Sequence, residues 1–439
     1  MQPAPFKTCD GPFPSRRPFQ KAQKLLLIAA VVVSAVYFSW RGPVRANLRM
    51  VDFDVFYCAS RAWMSGLDPY DKPTLQFIFK QAGGEGELNP SLTPPGTFVL
   101  LAPLAALPYK TASLACIAVN ILSAMACFGL ILRYLRLEPN QNKTWALLAL
   151  ALALAPFHTS ISQGQLTILT AVMALAMLRF HAAGNEWLAG ACLGLGLSLK
   201  PQMAAMLLAV PLIQGKWRHV LSVALVAGAL AALGAGRLSL AGIDWIGSLE
   251  KNMAAFQPGG INDPTAENPV SFLMINLQVL FHSWFPHSSL IAVGVATVAF
   301  AAGAALWRPM RALRQPADQL LLFSAAAVTG LLVFYNRIYS ATLLLLPLAW
   351  SLANWNEAEL RRYAIGLFLL TLAFLVPGAA AANVFLQNSS VSWPIPFWLR
   401  HLLLFHQVYL LAAMLVILCL AARKSAGAAS RLSAAAGGP

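Results

Sequence analysis

Two carboxylates carry the first chemical reading. In Val51-Asp52-Phe53-Asp54-Val55-Phe56-Tyr57-Cys58-Ala59, followed by Gly66-Leu67-Asp68-Pro69-Tyr70-Asp71, Asp52 and Asp54 stand among aromatic residues soon after an apolar run. Desolvation at a membrane surface raises a carboxylate's pKa and makes it a better base. At spacing i, i+2 two side chains point about 200° apart around a helix but to one face of a strand. On a helix, therefore, only one of the pair can line a given pocket. The structural alternative is that Asp52 or Asp54 caps a short interfacial helix.

Three short polar turns could supply partners to such a base. Gln163-Gly164-Gln165 and Lys200-Pro201-Gln202 each separate two apolar runs. A lysine in such flanks is costly unless it reaches the interface or meets an anion, so Lys200 either snorkels or binds a negatively charged ligand. Tyr335-Asn336-Arg337-Ile338-Tyr339 interrupts another apolar stretch. There Arg337 is either an interfacial anchor or a bidentate phosphate ligand. Asn89-Pro90-Ser91-Leu92-Thr93-Pro94-Pro95-Gly96 has the prolines of a rigid approach to an interfacial helix.

The elements that must position these residues follow from composition. Of 439 residues, 58% are hydrophobic and only 11% are charged, against about a quarter charged in ordinary globular chains. The excess apolar surface must face lipid, so an all-α, polytopic integral membrane protein is expected. Apolar runs near the required length of about 20 residues fall at 25–40, 111–132, 145–158, 166–178, 187–199, 202–213, 220–233, 290–307, 320–335, 341–352, 363–377 and 402–420. That makes about twelve spans, with 98–107 and 272–285 as interfacial or re-entrant candidates. The first run follows a basic tail at 1–24. It resembles a signal sequence, but Arg41 and Arg45 follow it where a small-residue cleavage site would stand, so an uncleaved anchor is expected. The tail at 423–439, rich in Ala, Ser and Gly, is expected to be disordered and cytoplasmic.

Net charge is +15, which in a soluble protein would suggest nucleic acid. With a cytoplasmic amino terminus, 19 of the 31 Lys and Arg fall in inside segments, while 10 of the 16 acids fall outside. This is the positive-inside pattern. The surplus charge therefore orients the chain, and no nucleic-acid partner is implied. Both termini are then cytoplasmic, and the two long polar connections, 41–110 and 234–270, face outward as the loops most suited to hold a site. The cysteines at 9, 58, 116, 127, 192 and 419 show no CxxC or Cys/His metal spacing. No Walker or GxGxxG segment is present.

The ordered set of Asp-Phe-x-Val-(Tyr/Phe)-Tyr-x-Ala at Asp52 to Ala59, Gly-x-x-Pro-Tyr at Gly66 to Tyr70, the Pro-Pro segment ending in Leu107-Pro108, the Gly-Gln turn and the Lys-Pro-Gln turn resembles glycosyltransferase family 87. That family comprises polytopic transferases of the GT-C type, among them polyprenol-phosphate-mannose-dependent α-(1→2)-mannosyltransferases. The resemblance runs from about Asp52 to Arg218 and more loosely through Tyr335 to Tyr339.

The resemblance implies a polyprenyl-phosphate sugar donor, a lipid or glycan acceptor, a cell-membrane location and an extracytoplasmic site. It makes Asp52 the catalytic base, with Asp54, at the variable position of the motif, as second choice. Gln165, Lys200 and Gln202, which match the family's turns, and Tyr57 of the first motif are the implied substrate-binding residues; Arg337, whose turn does not match a family pattern, joins them only on the suitability of its guanidinium for phosphate. A phosphate leaves as a stable anion without a proton donor, so one base suffices where glycosidases generally use two. No cofactor and no metal are expected. A flippase or transporter of lipid-linked sugars is the rival from another class, and a polysaccharide polymerase or ligase, with its site in the later loop at 237–268, is the third reading.

Overall fold

The computed structural model describes residues 17–47, 50–285, 290–388 and 396–436. Lys7, Cys9 and Arg16 of the amino-terminal segment, Arg49, and residues 437–439 lie outside the described residues. Among those described, the secondary structure is helical apart from an isolated bridge between Met274 and Arg337.

Helix α1 (Arg17–Ser39) ends in a π turn (Trp40–Val44), followed by α2 (Val51–Met64), α3 (Lys72–Gln81), α4 (Pro95–Ala105) and α5 (Tyr109–Leu135). The next stretch runs α6 (Asn142–Ala153), α7 (Ala155–Gln163), α8 (Thr167–Ala182), α9 (Glu186–Leu199), α10 (Pro201–Ala204) and α11 (Ala209–Ile213). After α12 (Trp217–Leu240) and α13 (Trp245–Asn252) a long loop leads to α14 (Leu277–Trp284), α15 (Ile291–Ala312) and α16 (Pro316–Val333). A 3-10 segment (Ile338–Leu344) then opens α17 (Leu345–Ala353), before α18 (Arg361–Leu372), α19 (Gly378–Asn388) and α20 (Phe397–Ala436).

The interior is built on α16 and α17. Every residue from Gln319 to Leu332 and from Leu345 to Leu352 is buried, as expected of helices that are apolar on all sides. α1 is little buried: its Val32, Val33 and Val36 remain 57%, 69% and 66% exposed and so provide a lipid-facing surface. Packing proceeds from neighbour to neighbour: α1 on α6, α5 on α8, α8 on α9, α9 on α12, and α12 on α4, with α20 closing against α16.

The expected apolar runs are helical, but fewer of them are long spans than their number suggested. Among the described residues, five helices are long and apolar enough to cross a membrane, seven if two bent pairs each count as one. One pair, Asn142–Ala153 with Ala155–Gln163, bends by 42° where Pro156 enters the chain; the other, Arg361–Leu375 with Gly378–Gln387, bends by 54° after Pro377. Proline removes a helix donor and crowds the preceding turn. Six further apolar helices have only 10–17 residues. The interruptions that shorten them include the Gly164, Lys200-Pro201 and Phe334-to-Arg337 breaks.

One expectation needs correction. The carboxy-terminal segment continues α20 as helix through Ala436, where disorder was expected from 423. Alanine is the strongest helix former and loses no side-chain entropy, so Ala-rich sequence extends a helix already nucleated by the span before it.

Candidate active site

Each polar turn identified in the sequence marks a helix break, and the breaks converge. Gly164 ends α7 with φ +67°, and the amides of Gly164 and Gln165 donate back to Ile161 and Ser160. This is the left-handed cap that glycine provides cheaply. A Cβ on Gly164 would lie 2.4 Å from Phe53 Cβ, so only glycine lets this turn approach α2. The close approach delivers Gln165 to Asp52. Lys200 closes α9, and Pro201 starts α10, because a residue before proline is pushed out of helical conformation. Arg337 lies on an extended stretch after α16 and immediately before the 3-10 segment.

These breaks form a hydrogen-bonded relay. Gln165 Nε2 donates to Asp52 Oδ2 at 2.6 Å, and Lys200 Nζ donates to Gln165 Oε1 at 2.8 Å. Gln165 and Lys200 are buried, at 4% and 8% exposure. The Lys200 ammonium also sits 4.3 Å from the centre of the Tyr339 ring, a cation–π contact that tolerates the charge away from water. Arg337 Nε donates to Tyr335 Oη at 2.8 Å, and its Nη2 donates to the Ile261 carbonyl at 2.9 Å and to Asn262 Oδ1 at 3.3 Å.

Burial dominates the electrostatics at this centre. It raises the Asp52 carboxyl above its ordinary value of 3.8, opposed by the Gln165 hydrogen bond and by the Lys200 and Arg337 charges. Burial likewise lowers the Lys200 ammonium to about 7, with the nearby Asp52 charge working the other way and Arg337 adding to the depression. The arrangement therefore holds a strengthened base and a cation whose charge is sensitive near neutral pH.

Asp52, Gln165, Lys200, Gln202 and Arg337 all line one cleft of about 190 Å³. Two of the expected site residues do not join it. Asp54 lies on another face of α2, fully buried, accepting a hydrogen bond from Tyr109 Oη. Tyr57 donates its hydroxyl to the Leu107 carbonyl at 2.9 Å and packs against Tyr109. Both tie α2 to the start of α5. The separation of Asp54 from Asp52 follows from the i, i+2 spacing on a helix. Helix capping is not the role of either aspartate: α2 has Met50 at its cap position and no side-chain cap bond.

The loops supply residues that sequence reasoning did not single out. Asn262, Ile261 and Tyr335 form the wall around Arg337, and Tyr335 Oη donates to Asn262 Oδ1 at 2.6 Å. Asp263 holds this loop by accepting from the Gly259 and Thr265 amides. The bridge between Met274 and Arg337, with Ile275 N donating to the Asn336 carbonyl at 2.9 Å, fastens the loop to the site. The proline segment is more than an approach to α4: Asn89, Thr93 and Pro94 also line the cleft. Tyr70 Oη donates to the Thr93 carbonyl, and Asn252 Nδ2 to the carbonyls of Tyr70 and Ser91, joining two loops to the end of α13. Buried asparagines in long polar loops were the one available signal, because such side chains must find partners.

A second cavity, of about 290 Å³, touches the same centre from another side. It shares Asp52, Asn89, Arg337 and Tyr339 with the first and adds Arg41, Arg45 and His158. Among the described residues, no group of three or more His, Cys, Asp or Glu side chains is gathered in a metal-binding arrangement.

Residues 92–335, more than half of the chain, match the model for glycosyltransferase family 87. Comparison with curated proteins and comparison with solved structures each give no match. The matched region contains Gln165, Lys200, Gln202 and Tyr335, while Asp52 precedes it and reaches them through the packing of α2 against the Gly164 turn.

Proposed function

Because the chain belongs to glycosyltransferase family 87, and is therefore a membrane glycosyltransferase, we propose that it transfers a sugar from a polyprenyl phosphate to an acceptor hydroxyl with inversion. The sugar is mannose or a similar hexose or pentose, and the acceptor is a lipid or glycan. The fold is read as GT-C-like, with about twelve membrane crossings once the shorter helices are counted. The lysine and arginine distribution supports cytoplasmic termini and an extracytoplasmic site in the cell membrane.

The observation that carries this reading is the relay from Asp52 through Gln165 to Lys200 at the wall of a cleft. Asp52 takes the proton from the acceptor hydroxyl as its oxygen attacks the anomeric carbon. The bond from that carbon to the phosphate oxygen breaks, and its electron pair leaves with the polyprenyl phosphate. Lys200 and Arg337 offset the negative charge that develops on the leaving group, where preorganised donors act most strongly in a water-poor site. Gln165 keeps Asp52 oriented, and its amide hydrogen bond favours the ionised carboxylate.

The test is transfer of radiolabelled sugar from synthetic polyprenyl phosphosugars by the purified protein and by Asp52→Asn. The expected result is a new glycosidic bond with wild type and a rate reduced about 10²- to 10⁴-fold in the variant, the usual range for general-base catalysis. Full activity in Asp52→Asn overturns the base assignment. Translocation of the lipid without a new glycosidic bond overturns the transferase reaction in favour of a flippase.

A further inference from the structure

Among the described residues, Asp52, Asn89, Arg337 and Tyr339 line both the cleft and the second cavity. A group reacting at Asp52 is therefore bordered by the other three. Two of these are already engaged: Arg337 donates to Tyr335, Ile261 and Asn262, and the Tyr339 ring covers the Lys200 ammonium. Asn89 differs. It is half-buried, and its side chain makes no hydrogen bond, ion pair or ring contact among the described residues.

The backbone beneath this side chain is held from both directions. Before it, Leu88 N donates to Gln76 Oε1 at 3.0 Å, and Gln76 Nε2 donates to the Gly86 carbonyl at 2.8 Å. After it, the Ser91 carbonyl accepts from Asn252 and the Thr93 carbonyl from Tyr70. Pro90 restricts Asn89 itself to extended backbone. Asparagine in a turn commonly spends its side chain on the backbone two residues on, but Asn89 forms no such bond to Ser91. An uncommitted amide on a pinned backbone suits a polar ligand, because little conformational freedom is lost when the ligand binds.

The amide offers one acceptor oxygen and two donor hydrogens. That set matches sugar hydroxyls, which both donate and accept, whereas a neutral group that does not titrate suits neither the donor phosphate nor proton transfer. The hydroxyl nearest the anomeric carbon is the one on the neighbouring ring carbon. We propose that Asn89 hydrogen-bonds the 2-hydroxyl of the transferred sugar and so selects donors whose carbon 2 carries a free hydroxyl. The assignment rests on the transferase reading above and adds to it the class of sugar accepted. As the bond to the phosphate oxygen lengthens, positive charge grows on the anomeric carbon and acidifies the neighbouring hydroxyl. Its bond to the Asn89 amide oxygen then strengthens toward the transition state, as 2-hydroxyl contacts do in glycoside hydrolysis. A contact of this kind acts on kcat more than on KM.

The transfer assay tests this with farnesyl phosphate esters of mannose, glucose and arabinofuranose. The fastest of the three is then compared with its 2-deoxy and terminal-deoxy forms in wild type and Asn89→Ala. With the parent donor, the substitution is expected to lower kcat about tenfold to a hundredfold while KM changes less than about threefold. With the 2-deoxy donor, which has no hydroxyl to bind, it is expected to cost less than about threefold, and the terminal-deoxy donor should show the full loss. The different intrinsic reactivity of the 2-deoxy sugar is common to both enzymes and cancels. Each ratio compares two donors on one preparation, so an unfolded fraction cancels as well. No loss with the parent donor, an equal loss with parent and 2-deoxy donors, or a loss that vanishes only with the terminal-deoxy donor would overturn the Asn89 assignment and leave the transferase reading standing. Absence of transfer by wild type from all three parent donors would overturn both.

Discussion

Two buried polar clusters occupy opposite ends of the same helices, and their side chains are used differently. α8 begins beside Gln165 and reaches His181 about 21 Å later at 1.5 Å per residue. α9 returns to Lys200, the segment Pro201–Ile213 runs back to Gln214, and α16 carries Gln319 near its start and leads to Arg337. At the far end, His181 Nε2 lies 3.0 Å from Gln214 Oε1 and 3.1 Å from Gln319 Oε1. Lys216 Nζ lies 3.2 Å from the same nitrogen, and His181 Nδ1 lies 3.3 Å from His219 Nδ1. Gln214 and Gln319 in turn donate to the Leu313 carbonyl. This cluster spends its polar capacity on helix-to-helix contacts. At the near end, the relay reaches a carboxylate at the wall of two cavities. Buried polarity becomes chemically useful where an ionisable group at the end of a satisfied network borders space for a ligand.

The largest test of this contrast is Asp52→Asn, whose transfer rate should fall about 10²- to 10⁴-fold. Removing the next member of the relay should cost less. Gln165→Ala or Lys200→Ala is expected to lower kcat by about tenfold to a hundredfold, consistent with loss of one hydrogen bond to a charged group.

The pH profile should narrow on both sides. Activity rises as Asp52 loses its proton, at a pH above the ordinary carboxylate value because burial raises that group. It falls again as Lys200 loses its charge near pH 7, where burial has lowered it to about 7. Lys200→Arg keeps its charge throughout this range, so the alkaline limb of kcat/KM should move upward even if the maximal rate declines. An unmoved limb would assign the transition to another group.

The smallest catalytic effects belong to residues off the cleft. Asp54→Asn and Gln214→Leu are expected to destabilise the fold by about 1–3 kcal/mol, the usual cost of leaving a buried partner unsatisfied. Thermal unfolding should report this, while kcat/KM of the folded fraction changes by less than about threefold, as for sites that do not couple to the base. A hundredfold catalytic loss in Gln214→Leu would erase the distinction between the two clusters.

The site was legible where local chemistry forces a break in an apolar helix. Gly164 before Gln165, Pro201 after Lys200, and the polar turn around Arg337 announce their positions through backbone restrictions that short sequence spans contain. The separation of Asp52 from Asp54 was also contained in the sequence as helical spacing. Tyr57 was less legible, because an aromatic residue in a functional-looking motif can equally be a packing residue, as its bond to Leu107 makes it here. Asn262 was missed, and with it the role of Tyr335 within its turn, because their partnership joins residues 73 positions apart, and pattern within one segment carries no information about such pairing. The carboxy-terminal helix was misread because composition alone does not include the nucleation supplied by the preceding span.

By itself the sequence determined that this is a helical membrane protein, that its surplus basic charge follows a topological pattern, and that a few costly polar groups interrupt its apolar segments. Those conclusions depend on hydropathy, proline and glycine chemistry, and helical periodicity, all local properties. Only the tertiary structure decided which interruptions meet. It joined Asp52 to Gln165 across 113 residues of chain and Gln165 to Lys200 across 35, turned Asp54 away, and set Arg41 beside His158 at the second cavity. The physical reason is that buried donors and acceptors must satisfy one another wherever helix packing brings them, and that packing is a property of the whole chain.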